Sequence, residues 1–326
     1  MTTPTPASAP ASAQASTPTP FNQWVIDEFR ANGGKVGGPF EGSDLLLLTT
    51  TGAKSGAAHT TPLGYLPHED GLLVIGSNLG APRHPAWYHN LLAHPVVGVE
   101  TGKETFQAIA VPAEGERRDR LFAYAVAAAP GYATYQAATA RTLPVVVLER
   151  HDPAAGEGPA EVSSLADKLL EVHVWLRAQL RHVRAEVEAH FAARAAHRDT
   201  GGPAPAPGLG LQIRQHCLAF CQALEFHHTG EDAHVFPALR AAHPELEDTF
   251  RRLAAEHRTI ARLQQELSAL LADIADADPD RFGAELARMS EELTAHLDHE
   301  EEQLLPLLAR IPFPPGRPPA EPGPGR

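Results

Sequence analysis

The chain has 326 residues, enough for two domains at about 150 residues each. Its 43% hydrophobic and 21% charged content excludes wholesale disorder, and its net charge of −13 argues against a nucleic-acid-binding surface. Two cysteines exclude a disulfide framework and most thiolate zinc modules, whereas 18 histidines are a conspicuous supply of metal ligands.

Residues 1–20 carry no charge after Met1 and are mostly Ala, Ser, Thr and Pro. They lack the basic and apolar regions of a secretory signal and read as a disordered tail. No run of about 18 apolar residues predicts a membrane span. Unpaired cysteines fit a reducing compartment, so a cytoplasmic location is expected.

Residues 45–148 hold apolar runs of strand length. Leu45–Thr50, Leu72–Ile75, Val96–Val99, Thr105–Val111 and Val145–Leu148 predict an antiparallel sheet or small barrel. Asp70-Gly71 marks a turn, and helical patterns near Trp24–Arg30, Trp87–Ala93 and Arg117–Ala128 interrupt the strands. After the first strand, Thr49-Thr50-Thr51-Gly52-Ala53-Lys54-Ser55-Gly56 gathers hydroxyls, glycines and a lysine in one turn. Such a turn suits a phosphate held by backbone N–H groups, although an ordinary hairpin would look the same. Ser77 to Pro85 then leads into a helix start, where Arg83 adds a positive charge to an anion-binding position.

Residues 151–162 form a Pro/Gly-rich linker, and strand signals end there. Helical stretches follow at 163–198, 209–241, 244–275 and 280–309, broken at Gly201–Gly208, His243-Pro244 and Asp278-Pro279. Short connections imply antiparallel neighbours and hence an up-down four-helix bundle over 163–310. The Pro/Gly-rich segment 311–326 reads as a second disordered tail. Residues 21–150 carry 10 basic and 12 acidic side chains, so most of the acidity lies with the helical half.

His227-x-x-x-Glu231 and His296-x-x-x-Glu300 repeat one pattern on the second and fourth helices. Residues four apart share a helix face, so each pair presents an imidazole and a carboxylate together. His173 on the first helix and His257 on the third fall at the same level, roughly 14–20 Å from one end of the bundle at 1.5 Å per residue. Four imidazoles and two carboxylates in one layer suit a pair of iron ions, with zinc as an alternative. His182, His190, His197, His216, His234 and His243 read as surface or satisfied core, and His228 and His299 as neighbours of the motif, either exposed or outside the ligand set. Cys217 and Cys221 read as packed thiols, with a redox pair geometrically poor.

The strings Glu225–Pro237 and His296–Pro306 resemble the hemerythrin-like HHE cation-binding family, over about 163–310. The resemblance implies a non-haem diiron site held by His173, His227, Glu231, His257, His296 and Glu300. Oxygen-carrying members place a second histidine four residues after the third-helix histidine, where this chain has Ala261, and use a longer His-to-Asp spacing on the last helix. Sensing or chemistry of O2, NO or peroxide, or iron handling, is therefore expected ahead of reversible oxygen carriage.

The Thr-Thr-Gly-x-Lys-Ser-Gly turn, His84–Leu91, His94-Pro95 and Tyr132–Pro144 resemble the deazaflavin-dependent nitroreductase family, from Phe21 to Arg150. That resemblance implies an FMN-binding-like split β-barrel holding coenzyme F-420, with FMN as the alternative. The reduced coenzyme would pass hydride to a small-molecule acceptor such as a quinone or nitroaromatic. Lys54, Ser55, Gly56, Ser77, Asn78, Arg83 and Trp87 would contact the cofactor. Tyr65, Trp87, Tyr132 and Tyr135 would line the substrate side, with Tyr132 or Tyr135 as the proton donor. Relatives often carry two glycines where this chain has Leu79-Gly80.

The combined expectation is an α+β two-domain redox protein, a split β-barrel over 21–150 followed by an all-α bundle. A homodimer is compatible with it. The alternative is a diiron sensor or iron-binding protein whose barrel holds a cofactor without turnover.

Overall fold

A computed structural model of the chain describes residues 18–69, 71–151, 162–200, 210–271 and 278–313. The expected tails, the linker, the Gly201–Gly208 break and Asp70 of the predicted turn lie largely or wholly outside them. The chain divides into two compact units, Met1–His151 with His197–Ala219, and Asp152–Ala196 with Phe220–Arg326.

In the first unit, helix α1 (Pro20–Ala31) precedes strands β1 (Leu45–Thr51), β2 (Ala58–His68) and β3 (Gly71–Ile75). Helix α2 (Ala86–Ala93), β4 (Val96–Glu100), β5 (Thr105–Pro112), α3 (Gly115–Ala128), α4 (Gly131–Ala137) and β6 (Val145–His151) follow. The strands close an antiparallel barrel in the order β1-β2-β3-β6-β5-β4, which leaves no edge unpaired.

The apolar runs do not alternate because both strand faces are covered. Leu46 and Leu48 point into the barrel with Val74, Val99 and Val146, while Leu45 and Leu47 pack under Val25, Ile26 and Phe29 of α1. Leu73, Ile75, Val145 and Val147 turn outward onto Leu121 and Ala125 of α3. Ile109 and Val111 of β5 are covered by Ala219. β2 is absent from the predicted strands, since Pro62, Gly64 and Pro67 erase its pattern; its register is set by pairing, with Pro62 opposite Leu47 and Pro67 opposite Leu72.

Helices α5 (Leu165–Thr200), α6 (Gly210–Gly230), α7 (Phe236–Ala242), α8 (Glu247–Leu271) and α9 (Pro279–Leu308) form the helical half. The second predicted helix is divided between α6 and α7 by a π-helical turn at Glu231–Val235, where the Phe236 N–H reaches back to the Glu231 carbonyl. Pro237 has no N–H and its ring crowds the carbonyl four residues back, so a widened turn just before it is the local remedy. Phe236, Leu239, Phe250, Leu253, Leu304 and Leu308 pack as one apolar layer of the second unit.

Candidate metal centre and cofactor cavity

The four predicted bundle histidines and both glutamates converge within the second unit. Five are buried, with His173 and Glu300 0% exposed and Glu231 4% exposed, and His227 is half-buried. Their donor atoms fall into two sets, and within each set all lie within 4.8 Å of one another. One set is His173, His227, Glu231 and Glu300, and the other is His228, His257 and His296. The carboxylates lie between the sets. Glu231 Oε1 is 3.4 Å from His227 Nε2, while its Oε2 is 3.7 Å from His257 Nε2. Glu300 Oε2 is 3.4 Å from His173 Nε2 and 3.6 Å from His296 Nε2.

Outer carboxylates orient the rings. Glu301 accepts from His173 Nδ1 at 2.8 Å, Asp232 from His257 Nδ1 at 3.1 Å and Glu256 from His296 Nδ1 at 3.0 Å. With the Nδ1 protons committed, each Nε2 presents a lone pair inward. Nε2 of His228, His257 and His296, Oε2 of Glu231 and both oxygens of Glu300 find no hydrogen-bond partner among the described residues. Each such orphan costs about 1–3 kcal/mol, so a cation that accepts their lone pairs removes a penalty this fold otherwise carries. Neutral nitrogens and carboxylates in a closed space fit a divalent transition metal such as iron.

The electrostatics of the metal-free cluster agree. Burial, then Glu300, pushes the Glu231 carboxyl well above its usual range. Burial, then His173, pushes the His227 imidazole down to about 3. Burial also raises Glu300, but the His173 imidazole, its Nε2 3.4 Å away, outweighs it and brings the carboxyl down to about 2. Burial thus favours the neutral, metal-binding form of His227 and His296, whereas the Glu300 and Glu301 carboxylates outweigh burial at His173 and raise its pKa.

The sequence patterns located the inner donors but missed His228, Asp232, Glu256 and Glu301. A visible signal was the doubling of each glutamate, Glu231-Asp232 and Glu300-Glu301. The two cysteines are buried and form no disulfide with each other, and burial pushes the Cys221 thiol up to about 12.

In the first unit, a cavity of about 510 Å3 lies beside the Gly52–Ser55 turn and includes Lys54, Ser55, His59, Ala86, His89 and Asn90. The turn is pinned from below. Buried Asn90 accepts from the Ala53 N–H at 3.1 Å and donates to Thr50 Oγ1 at 3.1 Å. A Cβ on Gly52 would sit 2.4 Å from Ser55 Oγ and 2.7 Å from His59 Nε2, so both side chains would have to move aside. Gly56 takes φ +65° with open space around it. Exposed Lys54 and Ser55, together with the first residue of α2, give this cavity the composition of an anion site.

Ser77, Asn78 and Arg83 are on a separate loop, and none of them lines that cavity. Arg141, which the sequence patterns did not single out, clasps this loop. It donates to the carbonyls of Gly76, Ser77 and Ala81 at 3.0, 2.6 and 2.8 Å. Trp87 is 5% exposed among Leu46, Val97 and Val99 inside the barrel, the position of a core side chain. Tyr132 and Tyr135 meet edge-on at 6.4 Å against the Leu73 and Val145 layer. Tyr65 lines a different cavity of about 530 Å3, with Asp44, His68, Phe106 and Arg150.

Residues 23–150 match the family model described as F420H(2)-dependent quinone reductase, and residues 164–308 match the hemerythrin HHE cation binding domain. F420H(2)-dependent quinone reductase Rv1261c of Mycobacterium tuberculosis is 38% identical over 126 residues, covering 37% of this chain and 85% of that protein. Putative F420H(2)-dependent quinone reductase Rv3178 of the same species is 33% identical over 103 residues, covering 32% of this chain and 87% of that protein. A solved structure of an F420-H2 dependent reductase (FDR-A) is 39% identical, with TM-score 0.31, covering 32% of this chain and 94% of that one. Another, described as a domain-swapped dimer, is 34% identical with TM-score 0.32, covering 39% of this chain and 98% of that one.

Proposed function

Because the chain belongs over residues 23–150 to the F420H(2)-dependent quinone reductase family and carries a hemerythrin HHE cation binding domain over 164–308, we propose a two-domain redox protein that reduces quinones or similar acceptors and binds two iron ions. The observation that carries the reductase reading is the anion cavity beside Lys54 and Ser55, at the turn the family resemblance marks for cofactor phosphate. Coenzyme F-420, when bound, supplies the hydride. The chain's own part is to bind and orient. Lys54 and Ser55 hold an anionic group, Asn90 fixes the turn beneath them, and Ser77, Asn78 and Arg83 present a second polar loop. Tyr132, raised above its usual pKa by burial, stays protonated at neutral pH and is a proton donor with Tyr135 beside it.

His173, His227, Glu231, His257, His296 and Glu300 hold the ions, and the buried orphan lone pairs carry that reading. Iron there supplies ligand binding and one-electron chemistry. Side chains 0–9% exposed exclude a bulky substrate, so the partner is O2, NO or peroxide. Two cysteines that form no disulfide support a reducing, cytoplasmic setting.

Two measurements decide between the readings. Reduced coenzyme F-420 is expected to be oxidised by menadione in the presence of the protein, and cofactor binding without turnover would leave only a cofactor-holding sensor. Purified protein is expected to contain iron with a near-ultraviolet absorption band, and a colourless zinc protein would overturn the diiron assignment. His227→Ala should lose metal, whereas His234→Ala, at an exposed position of the same segment, should keep it.

A further inference from the structure

We propose that His228 is a metal ligand, the third imidazole of a pocket formed with His257 and His296, so that the centre offers its two ions unequal donor sets. The inference rests on the reading of the bundle as a metal site. His227 and His228 are consecutive, so their side chains diverge by about 100° on the helix. Consecutive residues can both serve a bundle core only if they straddle its inward line, and here they do. His227 turns toward α5, its Nε2 3.1 Å from His173 Nε2. His228 turns toward α8, its ring stacked on His257 at 4.0 Å with 13° between planes, and edge-on to His296 at 5.1 Å.

A packed core histidine is the competing explanation, and it leaves an atom unexplained. A buried imidazole satisfied as core has partners for its ring nitrogens. His228 is 6% exposed, and its Nε2 has no hydrogen-bond partner among the described residues. His228, His257 and His296 each place a ligand atom within 4.8 Å of the others, and Nε2 of His257 and His296 are equally without partners. Both of those rings have Nδ1 directed at a carboxylate, so their Nε2 atoms are acceptors and cannot donate to His228. Two acceptors beside a third ring nitrogen that also has no partner are satisfied together by a cation at their centre. The third helix offers no substitute one turn on, since Ala261 is exposed and has no ligand atom.

The consequence is an asymmetric centre. One ion takes His173 and His227, the other takes His228, His257 and His296, and Glu231 and Glu300 reach both.

The test uses the full chain loaded anaerobically with Co(II), whose paramagnetism shifts the N–H protons of coordinated imidazoles out of the diamagnetic proton spectrum. Wild type should show five exchangeable shifted imidazole N–H signals, one for each histidine of the two sets. In His228→Ala and His228→Gln the shifted signals should fall from five to two, as the pocket of His228, His257 and His296 loses its ion and bound cobalt falls by about half. His234→Ala should match wild type in both. Four signals in metal-loaded wild type, or an unchanged count and cobalt content in His228→Gln, would overturn the assignment while leaving the metal site standing. No cobalt uptake by wild type would instead sink the metal reading itself. Should His228→Ala fail to fold, the wild-type signal count still decides.

Discussion

Glu300 and Glu301 stand side by side yet serve different partners. Glu300 faces the other donors with both oxygens unpartnered, while Glu301 turns to His173 Nδ1 and to Arg177, 2.6 Å away. Glu231 and Asp232 repeat this division, with Asp232 holding His257. Removing such an outer carboxylate lowers metal affinity without removing a ligand, by about 10–100-fold. Glu301→Gln should therefore weaken metal binding by about that factor in a chelator competition, and exposed Glu292→Gln should not. Equal affinities for wild type and Glu301→Gln would show that Glu301 serves only Arg177. At this scale the His-x-x-x-Glu spacing was enough to place the inner glutamates, because residues four apart share a face. The doubled carboxylates mark Asp232 and Glu301, but which ring each one holds was not legible, since those rings lie on other helices, and periodicity within one helix says nothing about what it meets. His228 was passed over for a related reason. Its helical position alone leaves it at the margin of the inward face, and only the stacked His257 ring shows which side of that margin it takes.

Elements were legible where burial writes a pattern and illegible where pairing overrides it. Leu45–Leu48 announces a strand by apolar density, whereas β2 carries prolines and a glycine and is fixed by its neighbours. The loop after β3 is another case. Asn78 and Leu79 both adopt left-handed φ, 46° and 52°, a conformation that costs a leucine roughly 1–2 kcal/mol. Nothing in the local sequence demands it. Arg141 holds the loop by three carbonyls, and the planar fork that reaches all three is not matched by an ammonium. Arg141→Lys should lower the stability of the barrel by about 1–3 kcal/mol and weaken cofactor binding, measured by denaturant unfolding and by fluorescence titration with coenzyme F-420. Unchanged affinity would dissociate this loop from the cofactor. At the other unit, Asp167 accepts from the N–H and hydroxyl groups of Ser163 and Ser164 at the start of α5. These bonds lower its pKa from 3.8 to about 2. A carboxyl depressed in the folded state binds fewer protons than in the unfolded chain, so its stabilisation is present above pH 3.8 and fades as pH falls toward 2. Wild type should exceed Asp167→Asn in melting temperature at pH 6, and the two should converge near pH 2. A gap independent of pH would assign the effect to packing.

Across the whole molecule, the change from strand-length runs to helical periodicity separates the barrel from the helical half, and the ligands proposed for each are different in kind. What the sequence could not show is that α6 contributes to both units. Gln215 is buried and donates to the carbonyls of Leu91 and Ala110 at 2.8 and 3.1 Å, and His216 Nε2 is 2.9 Å from Glu149, although His227 on the same helix lies in the second unit. A polar residue on an apolar helix face is uninformative until the carbonyls it serves are known. The two proposed ligands then make a linkage prediction. A ligand that binds only the folded state stabilises it by RT ln(1 + [L]/Kd), about 2.7 kcal/mol at one hundred times Kd. For a unit of this size that moves a melting temperature by roughly 5–10 °C. In scanning calorimetry of the full chain, metal removal should lower one thermal transition by at least that much, because the orphaned donors are then left buried without a cation. Coenzyme F-420 should raise the other. The shared helix makes the size of the cross-effect the informative quantity. If each ligand moves only its own transition, the two cores unfold independently and α6 is cut at the boundary between its two halves. If removing metal also lowers the transition that coenzyme F-420 raises, the two units unfold cooperatively and metal occupancy stabilises the barrel. A single transition moved equally by both ligands would refute the division into two cooperative units.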